Sequence, residues 1–267
     1  MTILLVILIF AAAFVLLVKG RTGHKDLPAL KKWYYAHRGL HGAGVPENSL
    51  AAFSAAKTAG YGIELDIHLM RDGELAVIHD SSLKRVAGAD VSIEELSVSV
   101  LNDYYLEDTQ EHIPLFKQVL ELIDAQVPLI VELKSTVNNY AQLCEKACNL
   151  LENYNGLYCI ESFDPRCIAW LRKHRPNMIR GQLTENFFKS NGKYPWLLKF
   201  VMKHNLYNLI SQPDFVAYRF EHRKNLSNFV VRKIWGVQGV AWTIRNRKDF
   251  DTAIQENWIP IFENFLP

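Results

Sequence analysis

Three acidic residues, two histidines and two cationic side chains lie in the sequence in a pattern suited to a charged substrate. Glu64 and Asp66 sit two apart in the run IELDIH, so on a strand both side chains project from one face. Carboxylates held that close repel each other unless one is protonated or a cation lies between them. Glu132, in the run IVELK, adds a third. An all-oxygen set without cysteine suits one hard divalent cation, Mg²⁺ or Ca²⁺, and not zinc. Surface carboxylates paired with Lys134 and Arg38 would leave the same letters. His37 stands beside Arg38, and His79 follows Asp66 by thirteen positions. Between Asp66 and His79, Asp72-Gly73 marks a two-residue hairpin, in which paired residue numbers sum to 145. Asp66 then lies opposite His79, about 5.5 Å away between Cα atoms. Two histidines facing an ion site can move protons on and off reacting oxygens. His41, His68 and the remaining five histidines are read as structural.

These side chains need elements that converge. After residue 32, eight apolar strand-like runs alternate with helical patterns: 33–39, 62–67, 128–134, 157–163, 178–184, 214–220, 239–244 and 258–263. Eight buried parallel strands in this length fit an α/β fold, a (β/α)8 TIM barrel. An open doubly wound sheet would want a Gly-rich phosphate loop after its first strand, and HRGLHGAG is not one. Barrel chemistry sits where strands end, and the polar residues collect there: His37 and Arg38, Glu64 and Asp66, Glu132 and Lys134, Trp242 and Thr243. A capping residue at Asn48-Ser49 and Gly60 bound a helix, Ser92-Ile-Glu-Glu has capping-box spacing, and Pro114 opens an amphipathic helix through Val119 and Ile123.

The composition agrees with a folded chain. Of 267 residues, 49% are hydrophobic and 22% charged, which excludes wholesale disorder. Thirty basic against 28 acidic residues give no reason to expect nucleic acid as a partner. Cys144, Cys148, Cys159 and Cys167 lack zinc spacing and read as structural thiols in a reduced compartment. Thr2 to Val18 carries no charge, lacks the basic start of a signal peptide, and rises roughly 25 Å as a helix. It is read as an uncleaved transmembrane anchor, 1–19, followed by a linker, 20–32, and the barrel, 33–267. Lys19, Arg21, Lys25, Lys31 and Lys32 follow the run, so the positive-inside rule expects a single-pass protein with a cytoplasmic catalytic domain. From Asn186 to Pro213 there is no acidic residue, and Lys189, Lys193, Lys199 and Lys203 are interleaved with Phe187, Phe188, Tyr194, Trp196 and Phe200. That segment suits either a lipid-facing surface or a barrel helix with its aromatics turned inward.

HRG at 37–39, PEN at 46–48 and ELDIHLMRDGELAVIHD at 64–80 closely resemble the glycerophosphodiester phosphodiesterase family. IPLFKQVLELI at 113–123, VELKS at 131–135, ESFDP at 161–165 and AWTIR at 241–245 extend the resemblance over residues 34 to about 264. It implies a (β/α)8 barrel that hydrolyses glycerophosphodiesters to glycerol 3-phosphate and an alcohol. The family's metal ligands fall on Glu64, Asp66 and Glu132, and its catalytic histidines on His37 and His79. Arg38 matches a phosphate contact, Lys134 lies in the same pocket, and Trp242 is taken as a substrate contact. The expected mechanism has one divalent cation, Arg38 and Lys134 offset phosphate charge while His37 acts as base and His79 as acid. Attack by water or by the glycerol 2-hydroxyl would both fit. A lysophospholipase D, a cyclising phospholipase, or a tethered binding protein without turnover are the competing readings. Arg245 stands where the family usually has asparagine, and Phe262-Glu263 replaces its closing Thr-Asp.

Overall fold

β-Branched and aliphatic runs too apolar for a one-sided sheet need cover on both faces, and a barrel ringed by helices supplies it. The computed structural model describes residues 2–190 and 192–267; Met1 of the expected anchor and Asn191 of the lysine-rich segment lie outside the described residues. The strands are β1 (Tyr35–His37), β2 (Gly62–Leu69), β3 (Leu75–Val77), β4 (Leu129–Leu133), β5 (Tyr158–Ser162), β6 (Arg180–Thr184), β7 (Phe215–Arg219), β8 (Gln238–Ile244) and β9 (Trp258–Phe262). All but β3 run parallel, and β1 pairs with both β2 and β9, which closes an eight-stranded barrel. Each of the eight expected runs contributes one barrel strand. Tyr35, Ile130, Cys159, Leu183, Phe215, Val240 and Ile261 fill the interior, while a larger apolar layer joins the strands to the surrounding helices. All four cysteines are buried and free.

The β2–β3 hairpin differs from expectation by one residue. Ile67 pairs with Val77, His68 with Ala76 and Leu69 with Leu75, so paired numbers sum to 144. The cause is the turn. Gly73 alone takes a positive φ (85°), and Met70 N–H donates to Glu74 O at 2.9 Å, giving a three-residue connection around Arg71-Asp72-Gly73. Ile78, not His79, therefore lies against Asp66, whose carbonyl accepts the Ile78 N–H at 3.0 Å. His79 follows the end of β3, where the chain bends, and the bend aims it at the barrel mouth. Ser92 leads only a short 3-10 turn (Ile93–Glu95) without a side-chain cap. Met70, Ile78, Leu83, Val86, Ile93, Leu101 and Ile113 give this insertion an apolar cluster of its own.

The expected transmembrane span is corrected. The N-terminal helix covers Thr2–Leu17, 16 residues, and no helix among the described residues is long and apolar enough to cross a membrane. Sixteen residues rise about 24 Å against a hydrocarbon core of about 30 Å. Its C-terminal end is also taken into the barrel: Phe14 and Val15 pack on the core, Val18 is fully buried, and Trp235 Nε1 donates to Val15 O at 2.7 Å. Asn208 Nδ2 caps Val18 O at 2.9 Å. Gly20 then passes so close beneath β7 and β8 that a Cβ would lie 2.6 Å from Pro213 O. Residues 20–32, read as a linker, pack against the same face: Arg21 pairs with the buried Asp214 at 2.6 Å, and Leu30 is buried. Ile3 to Phe10 stay exposed.

Arg21→Ala leaves the Asp214 carboxylate buried without its side-chain cation. It should lower unfolding stability by about 2–4 kcal/mol; an unchanged urea midpoint would show that this end of the chain is not coupled to the barrel.

Candidate active site

The C-terminal ends of β1, β2, β4 and β5 bring the polar residues together because each barrel strand tilts its last inward-facing side chain into the mouth. The result is a pocket of about 120 Å³ lined by His37, Arg38, Glu64, His79, Glu132, Lys134, Glu161, Phe163, Leu183, Trp242, Thr243, Arg245 and Ile261. Seven of the eight residues singled out from the sequence line it. Asp66 lies just beneath, 1% exposed.

Ligand oxygens of Glu64, Glu132 and Glu161 lie within 4.8 Å of one another, all three residues buried. Glu161 is the member that sequence reasoning missed as a ligand candidate. Its signal was a lone acid at the end of an apolar strand, and the β4–β5 register places it directly beside Glu132. Glu161 Oε2 is buried and finds no hydrogen-bond donor among the described residues. Burial, reinforced by Asp66, Glu132 and the next strand's Glu161, pushes Glu64 well above the usual carboxylate range. Burial and then Glu132 do the same to Glu161. Glu132 is raised to about 7 by burial, with Lys134 opposing and Asp66 adding to it. Three crowded acids and an orphaned oxygen are the donor set that a hard divalent cation satisfies.

Asp66 behaves differently. Burial works against its charge, but Lys134, His79 and Arg38 outweigh it and hold the carboxyl far below its ordinary value. Lys134 Nζ lies 3.0 Å from Asp66 and 2.7 Å from Glu132, and Arg38 Nε lies 3.5 Å from Asp66. Asn48 Nδ2 donates to Asp66 Oδ2 at 2.9 Å. Asn48 is free to do so because Ser49, not Asn48, caps the helix Leu50–Thr58 by accepting Ala52 N–H. Arg38 and Asn48 both take positive φ, 55° and 54°, a conformation L-residues adopt only when the surroundings enforce it.

Each histidine is held by a carboxylate that is itself held by an arginine. His37 Nδ1 lies 2.5 Å from Glu263 Oε2, and Arg245 Nε lies 2.5 Å from Glu263 Oε1. His79 Nδ1 lies 2.6 Å from Asp80 Oδ1, and Arg85 Nε lies 2.5 Å from Asp80 Oδ2. A carboxylate accepts, so Nδ1 carries the proton on both rings and Nε2 is left to the pocket. His37 Nε2 is 3.9 Å from Glu64. Glu47 bridges Arg85 and Arg38, at 2.6 and 2.8 Å, which ties the insertion to the pocket floor. Burial lowers the pKa of His37, against the pull of Glu263. Burial, then Lys134 and Arg38 against Asp66, lowers His79 to about 4. The departures at Arg245 and Glu263 thus form one unit behind His37. His68 bridges Glu94 and the His79 carbonyl, which fits its structural reading, and His41 lies 3.9 Å from Glu263. Phe163, Leu183 and Trp242 make an apolar wall opposite the charges, with the Trp242 indole N–H unpartnered among the described residues.

A model of the glycerophosphoryl diester phosphodiesterase family matches residues 37–266. A glycerophosphodiester phosphodiesterase from Caldanaerobacter subterraneus subsp. tengcongensis is 30% identical over 241 residues, 85% of this chain and 91% of that one. A lysophospholipase D from Rattus norvegicus is 34% identical over 134 residues, 45% of this chain and 41% of its own length. Among solved structures, an Oleispira antarctica phosphodiesterase in complex with the product sn-glycerol-3-phosphate superposes with a TM-score of 0.71 at 20% identity. That match covers 86% of this chain and 92% of the other.

A cation competes with protons at carboxyls whose pKa is raised by burial and crowding. Calorimetric titration of Mg²⁺ or Ca²⁺ near pH 6 should release protons, with affinity rising as pH rises through about 7. Binding without proton release would contradict the crowded-acid geometry. Glu161→Gln should weaken that binding about tenfold or more yet leave the fold intact, since the amide has the shape of the carboxyl without its charge.

Proposed function

The chain belongs to the glycerophosphoryl diester phosphodiesterase family, and from that premise we propose that it hydrolyses glycerophosphodiesters to glycerol 3-phosphate and an alcohol. The observation that carries this reading is the pair of carboxylate-held histidines facing one pocket that also contains clustered acids, Arg38 and Lys134. Glu64, Asp66, Glu132 and Glu161 would hold one divalent cation, which would supply charge neutralisation at the phosphoryl oxygens. Mg²⁺ and Ca²⁺ both suit these oxygens.

The protein groups divide the remaining work. A phosphodiester repels nucleophiles with its own negative charge, and Arg38 and Lys134 offset that charge on the pocket floor. Phe163, Leu183 and Trp242 face the carbon skeleton of the glycerol, and the Trp242 N–H is available to one of its oxygens. His37, whose pKa burial lowers, presents Nε2 as the base that takes a proton from the attacking hydroxyl. Glu263 holds the ring's tautomer and stabilises the imidazolium that forms, and Arg245 keeps Glu263 charged; that carboxyl sits near 2 because His37 and Arg245 overcome its burial. His79, 32% exposed at its side chain, stands at the open side through which an alcohol departs. It is the acid. Lys134 and Arg38 depress its pKa in the free protein, and a bound phosphodiester anion neutralises both, so substrate binding raises the pKa of its own acid.

A second reading has one specific observation in its favour. The apolar wall continues outward from Phe163 into a larger groove, which suits a substrate carrying an acyl chain, as a lysophospholipase D would need.

His79→Ala should remove about 10²- to 10⁴-fold of turnover while leaving calorimetric metal binding unchanged. Retained turnover in the His37→Ala, His79→Ala double variant would exclude this mechanism. Glu263→Gln should lower kcat by about tenfold or more with little change in KM. Because His79 must be protonated to act, activity is lost as pH rises through its pKa. The alkaline limb of kcat, which reports the complex, should therefore lie at higher pH than that of kcat/KM, which reports the free enzyme.

A further inference from the structure

Besides the acid cluster, one other group of the described residues has the donors of a metal site. His37, His41 and Glu263 each offer one ligand atom, and these atoms lie within 4.8 Å of one another. The group sits behind the catalytic ring: Glu263 Oε2 is 2.5 Å from His37 Nδ1 and 3.9 Å from His41 Nε2. His41 Nε2 is buried and has no hydrogen-bond partner among the described residues. Folded chains leave few buried polar atoms without a partner, and such an atom calls for a reason. The backbone holds it there. Leu40 N–H donates to Ala52 O at 3.0 Å, and Gly42 and Val45 exchange backbone hydrogen bonds at 3.0 and 2.9 Å. His41 thus projects from a closed turn between β1 and the helix Leu50–Thr58.

We propose that His37, His41 and Glu263 form a second metal site, suited to a transition ion of the Zn²⁺ class, and that an ion bound there reversibly switches off the base His37. Two imidazole nitrogens and one carboxylate oxygen, with water completing a tetrahedron, are the donors zinc takes; the all-oxygen acids suit Mg²⁺ or Ca²⁺. The two sites face opposite nitrogens of one ring, since His37 Nε2 lies 3.9 Å from Glu64 and Nδ1 lies against Glu263. Bonds of about 2.0–2.2 Å set tetrahedral ligands about 3.4 Å apart. Glu263 Oε2 would therefore move about 1 Å from His37 and about 0.5 Å toward His41, a shift that side-chain rotation supplies. Arg245 opposes the ion with its own charge. It binds the other oxygen, Oε1, at 2.5 Å, and its side chain is about half exposed, so it can turn out to water. The switch itself is a change of tautomer. Without the ion, Nδ1 carries the ring's proton and Nε2 the free lone pair. An ion takes the Nδ1 lone pair in place of that proton, and the neutral ring then carries its one proton on Nε2, exchanged through solvent. The lone pair that would accept the nucleophile's proton is gone. The inhibition rests on the phosphodiesterase reading above; the metal site does not.

The test uses the full chain with Mg²⁺ saturating, so that the acid cluster is filled, and Zn²⁺ as the probe. Calorimetry should show one further ion bound to wild type, and His41→Gln and His41→Asn should bind it about tenfold or more weakly. His41 is a partly exposed loop residue, so both variants should melt with wild type. In glycerophosphocholine turnover, Zn²⁺ should lower kcat with little change in KM. Raising Mg²⁺ about tenfold should leave the inhibition in place, and a zinc-selective chelator should remove it. Both variants should keep the wild-type rate without zinc and need about tenfold or more Zn²⁺ for half-inhibition. Equal zinc binding in wild type and variants would overturn the proposal, as would inhibition that added Mg²⁺ reverses, which would assign the zinc to the acids. Zinc bound through His41 with turnover unchanged would overturn the switch. Zinc bound through His41 in a protein that cleaves no glycerophosphocholine keeps the site and overturns the phosphodiesterase reading instead.

Discussion

Like-charge repulsion at the barrel mouth is the constraint around which this molecule is arranged. Glu64, Asp66, Glu132 and Glu161 are at most 6% exposed and project from three adjacent strands, where water cannot screen them. Asp66 is answered within the protein by Lys134, Arg38 and Asn48, and Glu132 shares Lys134. Burial and mutual repulsion raise Glu64, Glu132 and Glu161 above the usual carboxylate range, in keeping with the steep unfavourable energy of unpaired charge in a low-dielectric site. An apolar core of similar volume would be more stable, so the acids mark the place where the fold gives up stability for chemistry. The barrel tolerates this because its interior is otherwise closed by Tyr35, Phe215 and Ile130.

Around that centre the histidines are positioned from opposite sides by different parts of the chain. Glu263 and Arg245 come from the last two strands, and Asp80 and Arg85 from the insertion after β3. Glu47 joins the insertion to Arg38, so the His79 side of the pocket depends on a module with its own apolar cluster. The opposite face of the barrel is closed by the N-terminal segment, through Val18, Arg21 and Trp235. The pocket and the face covered by the N-terminal segment therefore lie at opposite ends of the same strands.

Most of the fold was legible because buried parallel strands leave continuous apolar runs, and all eight were visible. Same-face placement of Glu64 and Asp66 followed from strand periodicity alone. The hairpin register was not legible, because Asp72-Gly73 suits a two-residue turn as well as the three-residue turn observed, and only Gly73 takes positive φ. The Thr2–Leu17 helix was read as a span from its composition; its last turn's packing against Trp235 and Asn208 is a long-range contact that no local pattern encodes. Glu161 was hidden for a similar reason, since its partnership with Glu132 depends on inter-strand register. Arg245 and Glu263 stood out as departures from the family pattern, but their meaning as a pair behind His37 required the structure.

The central claim is that this pocket cleaves phosphodiesters with the help of a bound divalent cation. The most direct measurement is phosphorus NMR of glycerophosphocholine incubated with the full chain, first with EDTA and then with Mg²⁺ or Ca²⁺ restored. The account predicts no change with EDTA and, on adding metal, loss of the diester signal with growth of glycerol 3-phosphate. Equal conversion in EDTA, or phosphocholine and glycerol as the products, would contradict it.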